Sequence, residues 1–229
     1  MFNSLMNFWK GKDFLSQVID DFSAMLDHSE NIFTMVSRAL LENDKPENLK
    51  DTVYEVDKTI NRLERSIRRR IVEHLTLQPT VDTSMCLCLM SVVKDAERIG
   101  DYTKNLFEVI ELLEKPIDRA TFDTYFNGMN DNILKLFKDT KKAFIQEDDA
   151  KAKATYQLES RVVKECDAIL INLAASDLST NEGVCYALIA RYFKRIAAHL
   201  VNISTSVVLP ISQLDYFDEK KAEGDDAPK

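Results

Sequence analysis

Glycine and proline are scarce in this sequence, with five of each in 229 residues. Average usage would be about 7% and 5%, so the residues that strand-and-turn architectures depend on are depleted. That argues against all-β sandwiches and barrels, and against α/β folds built on Gly-rich phosphate loops. Cysteine is sparse too: Cys86 and Cys88 form a C-x-C, with Cys166 and Cys185 far away. On a helix, positions i and i+2 point about 200° apart, so Cys86 and Cys88 are poorly placed to chelate one ion. Free thiols in a reducing compartment are expected. No apolar run reaches the roughly 18 residues of a membrane span. The start, Met1-Phe2-Asn3-Ser4-Leu5-Met6-Asn7-Phe8-Trp9-Lys10, lacks the basic, apolar and cleavage segments of a secretory signal. The expectation is a cytoplasmic protein without membrane insertion.

What is present is a core-forming, acidic chain. Hydrophobic residues make up 45% and charged residues 30%, with a net charge of −8. An acidic surface disfavours nucleic acid and anionic lipid, so no nucleic-acid partner is expected. The clearest basic run is Arg65, Arg68, Arg69 and Arg70. Its first reading is a solvated helix face paired to nearby acids; its alternative is a docking patch, led by Arg65, Arg68 and Arg69, for an acidic partner.

The few prolines and capping signals divide the chain. Asp44-Lys45-Pro46-Glu47 reads as a helix start, Gln78-Pro79-Thr80 and Lys115-Pro116-Ile117 as breaks, and Glu147-Asp148-Asp149 as a softer break. Ser179-Thr180-Asn181-Glu182 has capping-box spacing, and Pro210 ends the last segment. Six helices follow, over 13–43, 46–76, 80–114, 117–146, 149–175 and 179–209, each about 40–50 Å long at 1.5 Å per residue. Val53, Val56, Ile60, Leu63, Ile67 and Ile71 form one apolar stripe. Met85, Leu89, Val92, Ala96, Ile99, Leu106, Ile110 and Leu113 form another, with Thr103 in its one polar slot. Stripes this long predict an all-α bundle with near-antiparallel packing.

The two halves resemble each other. Glu97-Arg98-Ile99-Gly100-Asp101-Tyr102-Thr103-Lys104-Asn105 corresponds to Lys194-Arg195-Ile196-Ala197-Ala198-His199-Leu200-Val201-Asn202. Arg, Ile and Asn coincide at fixed offsets, and the preceding segments align Asp57 with Glu159 and Ile60 with Val162. The predicted organisation is a first three-helix repeat over 1–115, a second and degenerate one over 116–215, and a polar acidic tail over 216–229.

The stretch Ser91 to Leu106 (SVVKDAERIGDYTKNL), with Arg191 to Ile203 (RYFKRIAAHLVNI), resembles the PhoU family. The likeness spans most of residues 12 to 215. It implies six long helices arranged as two three-helix-bundle repeats, without enzymatic activity. It also implies a regulator of phosphate uptake that acts with a phosphate transporter subunit and a phosphate-sensing histidine kinase, and a homodimer. Family members carry E/D-x-x-x-D motifs, and some hold iron or zinc there.

On those residues a metal site is a candidate. Glu97 and Asp101 are i and i+4 on one side of a helix, which reads as the polar side away from the Met85–Leu113 stripe. Asp57-x-x-x-Asn61 matches the family's partner motif, with Asn in the last place. Glu97, Asp101, Asp57 and Asn61 together would suit a hard divalent cation such as magnesium, or iron or zinc. In the second half Lys194 and Ala198 replace the acids, so at most one site is expected. There Lys194 is a candidate ion-pair partner for Glu159. His28, His74 and His199 occur singly and are read as surface or helix-end residues.

No nucleophile–base spacing or Gly-rich phosphate cradle occurs. The resemblance leaves an alternative role as accessory protein of a sodium–phosphate symporter or other ion transporter. A carboxylate-bridged metal-binding bundle is a different class, and the Glu-x-x-His pairs such bundles generally use are missing from the sequence.

Overall fold

The computed structural model describes residues 2–42 and 44–214, with side chains from Phe14 onward; the predicted tail over 216–229 lies outside the described residues. Helices are α1 (Phe2–Leu41), α2 (Leu49–Leu77), α3 (Thr83–Leu112), α4 (Arg119–Phe126), α5 (Met129–Gln146), α6 (Asp149–Ala174) and α7 (Thr180–Thr205). A 3-10 turn (Ile211–Gln213) follows, and the described residues contain no strand. The first repeat is α1 to α3. The second is α4 to α7, because the segment predicted as one helix over 117–146 is two.

That break has a local cause. Gly128 takes φ of 69° and stands as N-cap of α5. An added Cβ there would meet nothing within 4 Å, so it is the left-handed backbone that calls for glycine. On the near side of the break, Asp118 caps α4 by accepting from the Thr121 amide. Phe122 and Phe126 stack at 4.2 Å and meet Tyr186 edge-on, which ties the short helix to α7.

Other boundaries shift by four residues or fewer, and α1 begins well before residue 13. The Asp44–Glu47 signal does not start α2: the helix opens at Leu49, and the Pro46 carbonyl accepts from the Leu49 amide at 3.0 Å in the turn before it. The box at Ser179 forms in full, with Ser179 accepting from the Glu182 amide and Glu182 reaching back to the Ser179 amide.

One continuous apolar core runs through both repeats. Phe33 of α1 packs against Phe137 of α5 and Phe193 of α7, so the first helix is shared with the second repeat. At the α2–α3 contact Gly100 lies against Ile60, where a Cβ would come to 2.9 Å from the Ile60 Cδ1.

The two repeats meet along antiparallel α3 and α7. Cys88 lies opposite Ser206, Asp95 opposite His199 and Tyr102 opposite Tyr192. The steps are seven residues on both sides, as expected for a helix seam. Its middle layer is polar. Asp95, only 7% exposed, accepts from the Asn202 amide at 3.0 Å and holds the His199 Nδ1 at 2.7 Å. Tyr102 stacks on the His199 ring and takes a hydrogen bond from Arg195 Nε at 3.2 Å. His199 is therefore neither a surface nor a helix-end residue: its side of α7 faces α3 instead of solvent. His74 does close α2, as read from the sequence, but it is buried, stacked on Phe14 at 4.2 Å.

Three substitutions test these features by urea denaturation. Gly128→Ala is expected to cost about 1–2 kcal/mol through its left-handed backbone, and Gly100→Val roughly 1–3 kcal/mol by overpacking Ile60. Asp95→Ala takes the shared partner from the part-buried His199 and Asn202 side chains and is expected to cost roughly 1–3 kcal/mol; an unchanged midpoint would mean the polar layer contributes nothing to joining the repeats.

Candidate functional site

Helices α2 and α3 run antiparallel, and their shared edge carries a ladder of polar pairs. From one end to the other these are Lys50–Glu111, Tyr54–Glu108, Asp57–Lys104 and Glu64–Lys94. The residues predicted as metal ligands lie on this ladder, and the fold brings them together in two groups.

In the first group Asp57 and Asp101 converge on one ammonium. Lys104 Nζ donates to Asp57 Oδ1 at 3.0 Å and to Asp101 Oδ1 at 3.3 Å. Asn61 donates its amide to the other Asp57 oxygen at 3.4 Å, and Arg98 Nη1 donates to the other Asp101 oxygen at 2.9 Å. Burial alone would lower the Lys104 pKa, but the hydrogen bonds and charges of Asp57 and Asp101 outweigh it and push it above its ordinary value.

One turn along, Lys94 Nζ donates to Glu97 at 2.7 Å and lies 3.9 Å from Glu64. Arg98 reaches Glu97 at 3.8 Å and Arg68 reaches Glu64 at 3.1 Å. Glu97 does not sit on an open polar side, as its azimuth suggested. It is 9% exposed, because α3 packs against α1, α2 and α7 and keeps little free face.

These contacts decide how well the residues suit a metal ion. Asp57, Glu64, Glu97 and Asp101 face Lys94, Lys104, Arg68 and Arg98, so four negative charges meet four positive ones. Among the described residues no three His, Cys, Asp or Glu side chains form a metal-holding group. As arranged, Glu97, Asp101, Asp57 and Asn61 do not fit a cation unless a basic side chain leaves. Those basic partners were overlooked in reading the sequence. The signal was present as Lys94 three residues before Glu97 and Lys104 three after Asp101, the spacing at which helical side chains meet.

The second repeat reaches a similar end differently. Lys194, at the position of Glu97, crosses to α6 and donates to Asp167 Oδ1 at 2.6 Å, eight residues along that helix from Glu159. Ala197 and Ala198, opposite Gly100 and Asp101 in the alignment, leave no acid on that turn.

The arginine run is accounted for largely as a paired helix face. Arg65 Nε donates to the Asn61 carbonyl, Arg68 meets Glu64, and Arg69 lies 4.0 Å from Glu73. Arg70 bonds Asp21 and Gln17 of α1 at 2.7 Å each. The four thiols are free, and burial pushes Cys166 up to about 12, far from a reactive thiolate. Among the described residues no helix is long and apolar enough to cross a membrane.

The PhoU domain matches residues 22–110 and again 126–207, one stretch in each repeat. A protein of Synechocystis sp. named phosphate-specific transport system accessory protein PhoU homolog is 28% identical over 198 residues, covering 84% of this chain and 87% of that protein. The fold is also that of two crystal structures. PhoU from Pseudomonas aeruginosa superposes with a TM-score of 0.76 at 24% identity, over 86% of this chain and 96% of that one. The phosphate transport system regulatory protein PhoU from Streptococcus pneumoniae does so at 0.75 and 20%, over 90% and 97%. With both repeats matched and the bundle shared, the chain belongs to the PhoU domain family.

Proposed function

We propose that this chain is a non-enzymatic regulator of phosphate uptake: a cytoplasmic adaptor whose helical surface engages a phosphate transporter subunit and, in phosphate-starvation signalling, a sensor histidine kinase. The observation that carries the reading is the PhoU match in both repeats, joined to the accessory-protein name of the Synechocystis relative. The side-chain chemistry agrees with it. The ionisable groups along α2 and α3 are neutralised among themselves, which suits a structural edge.

Docking on the exposed side of α2 is part of the proposal. Arg69 is 72% exposed with only a 4.0 Å contact to Glu73, and Arg65 is exposed beside it. Both can be redirected to an acidic partner at small cost, because exposed ion pairs contribute about 0–1 kcal/mol. A homodimer is the assembly proposed for the free protein.

The test is recovery of the tagged chain from its host, grown phosphate-replete and phosphate-starved, with partners identified by mass spectrometry. A phosphate transporter subunit is expected, and Arg65→Glu with Arg69→Glu is expected to reduce its recovery. Recovery of a sodium–phosphate symporter instead would move the adaptor to that transporter. Finding neither under both growth conditions would sink the proposal.

A further inference from the structure

We propose that Lys104 is the resident cation of the α2–α3 carboxylate pair, so that this edge is closed by a lysine ammonium instead of a metal ion and becomes a divalent-cation site only when that lysine is removed. The inference is independent of the adaptor reading.

Its basis is the position of one atom. Lys104 Nζ lies within hydrogen-bond reach of both Asp57 Oδ1 and Asp101 Oδ1, at 3.0 and 3.3 Å, and so bridges the two helices. Two carboxylates brought this close repel unless a positive charge lies between them, and an ammonium and a metal ion are alternative ways to supply it. The remaining oxygens are occupied as well, by the Asn61 amide on Asp57 and by Arg98 on Asp101. A dication entering here would have to expel Lys104 and break both of its hydrogen bonds, and the exchange would still leave the set one positive charge out of balance. The side chain of Lys104 is 21% exposed, with Asp57 at 14% and Asp101 at 24%, so solvent screens the pair only in part.

The second repeat also uses a lysine between its last two helices, there on a single carboxylate. Its lysine comes from a different position, Lys194 in place of Glu97, yet it too carries an ammonium from the last helix of the repeat, α7, to a carboxylate of the helix before it, Asp167 of α6. Both repeats thus join these two helices through Lys–Asp contacts.

Removing the lysine should expose what it covers. Without Lys104, Asp57 and Asp101 face each other with the Asn61 carbonyl oxygen free to turn inward, an all-oxygen set suited to Mn²⁺. The experiment compares the chelator-treated wild-type chain with Lys104→Ala, with Lys104→Gln, which keeps the bulk and loses the charge, and with Lys104→Ala/Asp101→Asn. Mn²⁺ binding is followed by calorimetry and thermal unfolding. For the wild type, millimolar Mn²⁺ is expected to leave the melting temperature unchanged. Both single variants are expected to melt lower, to regain stability as Mn²⁺ is added, and to bind it at one site on the order of tenfold more tightly than the wild type, each tenfold step being 1.4 kcal/mol. The double variant is expected to lose that gain. A wild-type chain that retains metal through chelation, or binds Mn²⁺ as tightly as the single variants, would overturn the proposal. So would single variants that gain no site. If Lys104→Ala does not fold, Lys104→Gln carries the same comparison.

Discussion

Helix α3 has almost no side of its own left for water, and much else depends on that. It packs on α1, α2 and α7 at once, yet its sequence carries acids and bases at close intervals. Each charge must therefore find an opposite charge at the helix edges, because a buried charge without a partner is far costlier than a paired one. The α2 edge satisfies this with alternating lysines and carboxylates, and the α7 edge with the Asp95–His199–Asn202 layer. Gly100 permits the tight α2 contact that closes the first edge, since any Cβ there would press on Ile60.

Much of this was legible in the sequence because it rests on local rules. Apolar stripes of period 3.6, the capping box at Ser179 and the scarcity of glycine together specify a long-helix bundle with two repeats. The break inside the fourth segment was not legible from periodicity, since Phe122, Phe126, Met129 and Ile133 continue an apolar face across it. Gly128 was the available clue, and whether a glycine sits in an ordinary or a left-handed conformation is settled by tertiary packing.

The site was legible only in part for a related reason. Sequence spacing puts Glu97 and Asp101 on one side of a helix, and Asp57 with Asn61 on one side of another. It does not say which helix covers that side, so Glu97 reads as a polar-side residue and nothing marks Lys104 as its neighbours' partner. Antiparallel register is what sets Lys104 against Asp57, and register is a property of the pair. His199 follows the same rule: a single histidine on α7 acquires meaning only when α3 places Asp95 beside it.

The seven-residue seam between α3 and α7 also determines which halves can join. Applying the alignment of the repeats, Asp95 corresponds to Tyr192 and Tyr102 to His199. Two copies of the first repeat paired in this register would set Asp95 against a second Tyr102, and the carboxylate would trade its imidazole partner for a phenol ring. Two copies of the second repeat would set His199 against Tyr192 with no carboxylate at all. Only the unlike pair places acid against imidazole in one layer and tyrosine against tyrosine in the next. The divergence of the two halves thus works as a matching rule, favouring the pairing of unlike repeats over the pairing of like ones.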